Sequence, residues 1–209
     1  MALVHKAELR PTKVELLAKW LPTRSWYDGV SDAEIVRVAS YRFDDPAGEV
    51  GVETMLVTAN GGRIMQVPLT YRAAPLLGSD QHLVGTCDHS VLGKRWIYDG
   101  CADPVYVGTL AQAILTGGRQ ADEVIEIDGE MQRRDPSAVV RGTGNFSAPT
   151  IDAAERYDDG EAAVILAGRH EFVIPRTVPS EVPASGALAL TGRWPGQDSD
   201  VVLVAMRAR

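Results

Sequence analysis

Cys87-Asp88-His89 sets a thiol, a carboxylate and an imidazole in consecutive positions, the groups from which a metal site or a nucleophilic pair is built. In a strand, alternate residues share a face, so Cys87 and His89 can converge. A tetrahedral site needs further ligands, and Cys101 is the obvious recruit. The run is read as a packed Cys followed by a hydrogen-bonded His in a turn. Arg141-Gly142-Thr143-Gly144-Asn145-Phe146-Ser147 opens like a glycine-rich phosphate loop, whose small residues let backbone amides approach an anion. It lacks a third glycine and the lysine of a P-loop, and reads as a turn between strands. Glu123, Glu126, Asp128 and Glu130 crowd carboxylates onto one short segment, as acid/base chemistry on glycosidic bonds requires. Their spacing does not define an acid and a base on opposite sides of a sugar, and a solvated strand face is the expectation.

The elements that must carry these residues are legible from pattern. Thr12-Lys13-Val14-Glu15 is a capping box, with a helix running to about Leu21, Val14, Leu17 and Leu21 on one face, and Pro22 as its stop. Three strands are predicted next. They are an alternating run around Ile35–Tyr41, a β-branched run from Val50 to Thr58, and Arg63 to Tyr71 after the turn signal Asn60-Gly61-Gly62. Pro68 donates no ladder hydrogen bond, which places the third strand at an edge or at a bulge. Short strands are expected at His82–Cys87 and Arg95–Tyr98. A second helix follows, capped by Asp103, started by Pro104, facing inward through Val107, Leu110, Ala111 and Ile114, and ended by Gly117-Gly118. From Ala121 the pattern is all β: 123–128, 138–142, 162–167, 171–175, 187–194 and 201–206. Residues 177–186 read as a loop, and antiparallel pairing is expected throughout.

The 209 residues suit one domain or two small ones, and 45% hydrophobic with 23% charged residues is ordinary for a soluble globular chain. A formal charge of −7 argues against nucleic acid or an anionic membrane as partner, because phosphate neutralisation needs a basic surface. No stretch approaches the roughly 20 apolar residues of a membrane span, and the N-terminus lacks the pattern of a leader. A cytoplasmic protein with Cys87 and Cys101 reduced is the expectation.

Two tryptophan segments carry the strongest pattern: Trp20-Leu21-Pro22-Thr23-Arg24-Ser25-Trp26-Tyr27 and Gly93-Lys94-Arg95-Trp96-Ile97-Tyr98-Asp99. In this order, with a helix before them, a sheet between them and the Asp103-Pro104 helix start after them, they resemble the N-terminal cap of bacterial maltokinases, from about Thr12 to Gly118. The resemblance implies an α+β fold, an antiparallel β-sheet packed against a few helices. Residues 1–118 form a cystatin-like cap, and 119–209 form a β-rich half that is a remnant of a kinase N-lobe or a continuation of the same sheet. Trp20, Pro22, Trp26, Tyr27, Lys94, Trp96, Tyr98 and Asp99 are the candidate binding or cap-building residues. The aromatic rings either stack on a sugar or a protein partner, or close the helix against the sheet.

In the resembled family the cap precedes an ATP-dependent kinase, whose phosphotransfer needs an aspartate for the acceptor hydroxyl, an acidic Mg²⁺ ligand and a lysine on the nucleotide phosphates. None of the four histidines, at 5, 82, 89 and 170, has the Asp of a catalytic loop shortly after it. The hairpin formed by 162–167 and 171–176 resembles the first kinase-lobe hairpin, but Pro175 falls where the ATP lysine belongs, with Arg176 beside it as a substitute cation. No catalytic residue, metal ligand or cofactor is therefore assigned. The expectation is a stand-alone, non-catalytic cap-like protein that binds another protein, with an enzyme of maltose or α-glucan metabolism as candidate partner. The alternatives are a binder of a sugar or other metabolite in the curved face of the sheet and, further off, a minimal sugar kinase or an α-glucan-acting enzyme.

Overall fold

The computed structural model describes residues 2–4, 8–127, 130–149, 151, 154–158, 160–180 and 188–209. The first sheet contains β2 (Leu9–Arg10), β3 (Ile35–Phe43), β4 (Gly51–Ala59), β5 (Ile64–Arg72), β6 (Leu83–His89) and β7 (Gly93–Asp99). Its spatial order is β2-β6-β7-β5-β4-β3, and β14 (Thr177–Val178) adds to β5. The second sheet draws on β10 (Val139–Gly142), β11 (Glu155–Asp158), β12 (Ala162–Ala167), β13 (His170–Pro175), β15 (Leu188–Trp194) and β16 (Gln197–Ala208). They lie in the order β10-β15-β16-β13-β12-β11. A small third sheet is made of β1 (Ala2–Val4), β8 (Glu123–Ile127) and β9 (Glu130–Arg134). Among the described residues there are two α-helices, α1 (Lys13–Trp20) and α2 (Pro104–Thr116), so the architecture is α+β and dominated by antiparallel sheet.

Both helices start where their caps are written. The Thr12 hydroxyl accepts the Glu15 amide while the Glu15 carboxylate accepts the Thr12 amide, closing the capping box of α1. Pro22 does not end the helix abruptly: the chain tightens into a 3₁₀ turn at Leu21–Thr23 that carries the proline near its start. The buried face of α1 is Leu16, Leu17 and Trp20, continued by Leu21, with Val14 only half-buried. The Asp103 side chain accepts the Val105 amide to cap α2, and Gly117 ends that helix in the left-handed conformation.

Strands β3, β4 and β5 form the expected meander, and Asn60 and Gly61 both have positive φ, as a tight type I′ hairpin turn requires. Six consecutive residues are buried in β4, Val52–Val57, and six in β5, Met65–Thr70, so these strands are covered on both faces. On one face Leu17 and Trp20 of α1 pack with Met55, Val57, Val67 and Ile97. On the other, Tyr41 and Leu56 join Val107, Leu110 and Ile114 of α2 and Ile165, Phe172, Leu190 and Val204 of the second sheet. The metabolite-binding alternative, which needs an open face of the sheet, finds none on β4 and β5, since core residues cover both of their faces.

Two expectations about strand pairing are corrected. β5 is an interior strand despite Pro68, because its second edge is shared by two partners: β14 pairs with Ile64 and Met65, and β7 with Leu69 to Arg72. The Gln66 amide points to that edge, donating to the Arg176 carbonyl. Pro68, two residues on, faces the same way and falls where neither partner pairs, so no donor is missed. Pairing is also not antiparallel throughout, since β1 runs parallel to β8. These strands are far apart in the chain, so no short connection dictates their direction. β1, β2, β9, β11 and β14 are strands that the sequence pattern missed. The outer edge of β3 is closed in part by later chain: Ala121 donates to the Arg42 carbonyl, and the Ser137 hydroxyl both accepts the Ser40 amide and donates to its carbonyl.

Candidate functional site

β7 ends on Asp99, and its carboxylate is completely buried. Its Oδ1 accepts the Cys101 amide at 3.1 Å, which shapes the 3₁₀ turn leading to α2. Its Oδ2 receives Arg176 Nη2 at 2.9 Å and Arg156 Nη1 at 3.0 Å. Burial alone would raise the carboxyl pKa, but the two guanidinium groups outweigh it and bring it down to about 2. The charge is therefore held, in a place where an unpaired carboxylate would be strongly destabilising.

Arg176 is the joint of this site. It follows β13, and its amide donates to Glu161 while its carbonyl accepts Gln66 of β5, so its backbone is fixed to both sheets. The guanidinium lies over the Trp26 ring at 5.0 Å, and Trp26 meets Trp20 edge-on at 6.0 Å. Trp20, Trp26, Arg176, Asp99 and Arg156 thus form one continuous chain of contacts, linking the two tryptophan segments through arginines of the second half. Beside it the buried Gln66 amide donates to the carbonyls of Pro175 and Leu203, tying β5 to β13 and β16.

The other candidate residues disperse around this line. Tyr98 is buried and its hydroxyl accepts the Leu76 amide at 2.9 Å, holding the loop before β6. Tyr27 donates to the Val30 carbonyl at 3.0 Å. Lys94 covers the half-buried Trp96 ring at 5.1 Å, apart from the buried chain of contacts. Pro22 is half-buried in its 3₁₀ turn. Trp20, Trp26 and Asp99 are brought together, whereas Pro22, Tyr27, Lys94, Trp96 and Tyr98 support their own turns and strand.

Pattern reading missed two further buried ion pairs. Asp103 accepts Arg72 in a two-pronged contact, both bonds 2.7 Å long, while capping α2. Glu53, in the interior strand β4, is bound by Lys13 and by the Tyr71 hydroxyl; burial raises its pKa, yet Lys13 and Arg42 dominate and hold it at about 2. The signal for Glu53 was available, as a lone charge amid the apolar run Val50–Thr58.

The segments read as possible phosphate or metal chemistry are committed elsewhere. Gly142, Gly144 and Phe146 direct their amides to the carbonyls of Gly118, Ile114 and Leu115, capping the end of α2. A Cβ on Gly142 would stand 1.9 Å from the Ala113 carbonyl oxygen, so glycine is required by helix contact. Pro175 closes β13, and Arg176 is no substitute phosphate cation, because its guanidinium is buried against Asp99. Cys87 and Cys101 are free thiols in separate buried clusters, and burial pushes Cys101 up to about 12. His89 Nδ1 accepts the amides of Val91 and Leu92, at the end of β6. Among the described residues no group of three potential ligands gathers to hold a metal. Glu123 lies near Arg134 at 4.0 Å, while Asp128 and His5 fall outside the described residues.

Residues 20–103 match the family model described as the maltokinase N-terminal cap domain. The match begins at Trp20 and ends at Asp103, narrower than the Thr12–Gly118 range of the motif resemblance, so α1 short of Trp20 and all of α2 lie outside it. No curated protein matches the chain.

Proposed function

We propose that this chain works as a maltokinase-cap-like accessory module, binding another protein of maltose or α-glucan metabolism in the cytoplasm without itself transferring phosphate. The observation that carries this reading is the Trp26–Arg176–Asp99 contact. Trp26 and Asp99, one from each signature segment, are spent on joining the cap segment to the β-rich half, and the cation that could have faced a nucleotide is the one that joins them. The glycine segment 142–146 supports the same reading, since its amides serve the end of α2. The cap half is read as cystatin-type, with α1 laid across an antiparallel sheet.

Affinity capture with the full chain from the cytosol of its source, followed by mass spectrometry, is the direct test. Reproducible recovery of an enzyme acting on maltose or α-glucan is the expected result. Recovery of no such partner, or maltose-dependent ATP turnover by the purified chain that a single substitution abolishes, overturns the reading.

A further inference from the structure

A groove of about 1100 Å³ runs beside α2, walled by the β3–β4 connection on one side and by residues 119–122 with Ala148, Pro149 and Ile151 on the other. One face of the helix forms its floor along most of the helix length, about 18 Å at the α-helical rise. That floor is made of small and medium side chains, and at its centre is Gly108.

Nothing among the described residues requires glycine at position 108. It sits inside a helix, where glycine is less favourable than alanine by about 1 kcal/mol. Among the described residues a Cβ there would meet nothing nearer than the Ile151 carbonyl oxygen at 4.0 Å, an ordinary contact. This contrasts with Gly142 and Gly144, where a Cβ would collide with the helix backbone. What Gly108 does is keep the middle of the groove open.

The polar chemistry of the lining favours a neutral ligand rich in hydroxyl groups. Asp44, Asp45 and Asp122 against Arg119 and Arg133 leave no excess of cations for an anion. Asp45 is spent on the amides of its own turn, and Asp122 on Arg133. Gln112 projects from the exposed side of the helix floor with both a donor and an acceptor, and Thr116, which donates to the Gln112 carbonyl, retains acceptor capacity. Gln120 accepts the Val140 amide and keeps its own NH₂ for another acceptor. Donors and acceptors spaced along an elongated groove suit hydroxyls that both give and accept, repeated along a chain.

We propose that the groove along α2 binds a short neutral oligosaccharide, with Gly108 keeping its floor open and Gln112 as a main polar contact. The choice of an α-glucan as first probe rests on the proposed function; the site itself does not.

The test is titration of the full chain with maltotriose, followed by amide NMR, with cellotriose and inorganic phosphate in parallel. Saturable shifts confined to α2 and residues 119–122 are expected with maltotriose and not with phosphate. Gly108→Leu, which removes a helix-interior glycine, should melt no lower than the parent yet weaken binding roughly tenfold or more, because it builds a clash into the floor. Gln112→Ala, at an exposed position, should weaken binding while leaving the melt unchanged. Absence of saturable shifts with both sugars, binding of phosphate alone, or unchanged affinity in both variants overturns the proposal. Binding of cellotriose but not maltotriose upholds the groove and overturns the choice of an α-glucan as its ligand, leaving the proposed protein partner to its own test.

Discussion

Asp99 and Glu53 set the acid sensitivity of this protein. Both carboxyls lie at about 2 in the fold, below the ordinary values of 3.8 and 4.5, because buried cations hold them ionised. A depressed folded pKa means the unfolded chain binds protons more readily, so stability is complete above about pH 5 and falls as the pH drops towards 2. On the order of 2–3 kcal/mol should be lost for each group, and urea melts between pH 6 and pH 2 should show it. Asp99→Asn should flatten that dependence; an unchanged slope would mean the carboxylate is solvated. Arg176→Met should cost about 3–5 kcal/mol at pH 7, since it leaves a buried charge short of a partner. A loss below about 1 kcal/mol would place the pair in the class of exposed salt bridges. The importance of Trp26 and Asp99 was legible from their motifs, but their partner was not. Arg176 lies 77 residues beyond Asp99, and nothing local distinguishes a cation that will be buried from one that will face a ligand.

At the scale of elements, what could be read was what local chemistry decides. The capping box of α1, the Asp103-Pro104 start of α2 and the Asn60-Gly61 turn each act within a few residues, and each stands where its residues put it. β9, β11 and β14 are short, and their existence depends on a partner strand brought by the fold, so pattern alone could not find them. The glycine segment is the instructive case, because small residues that admit a phosphate equally admit the end of a helix. Gly142→Ala should therefore lower stability by about 2 kcal/mol or more, through forced separation of α2 from the loop. Thermal melts measure this, and a variant melting like the parent would show that the helix end yields freely.

On the scale of the whole molecule, α2 is the shared wall of two sheets, with Tyr41 and Leu56 before it in the chain and Phe172 and Leu190 after it in one apolar cluster. Residues on either side of position 118 are thus expected to unfold together. Single-tryptophan variants retaining Trp20, in the α1 cluster, or Trp194, in the shared one, should report the same urea midpoint by fluorescence. Two separate midpoints would show two independent units.

The two-residue strand β14 adds a different dimension to that dependence. By pairing with Ile64 and Met65, it fills a slot that no described strand from the first half occupies. The second half is in this sense a strand donor in cis. During synthesis from the N-terminus, the Ile64–Gln66 edge of β5 stays uncovered until residues 176–178 emerge, more than 100 residues later. Through that interval the nascent chain carries an open sheet edge of the kind that recruits other strands. The finished sheet is completed from the far end of the polypeptide.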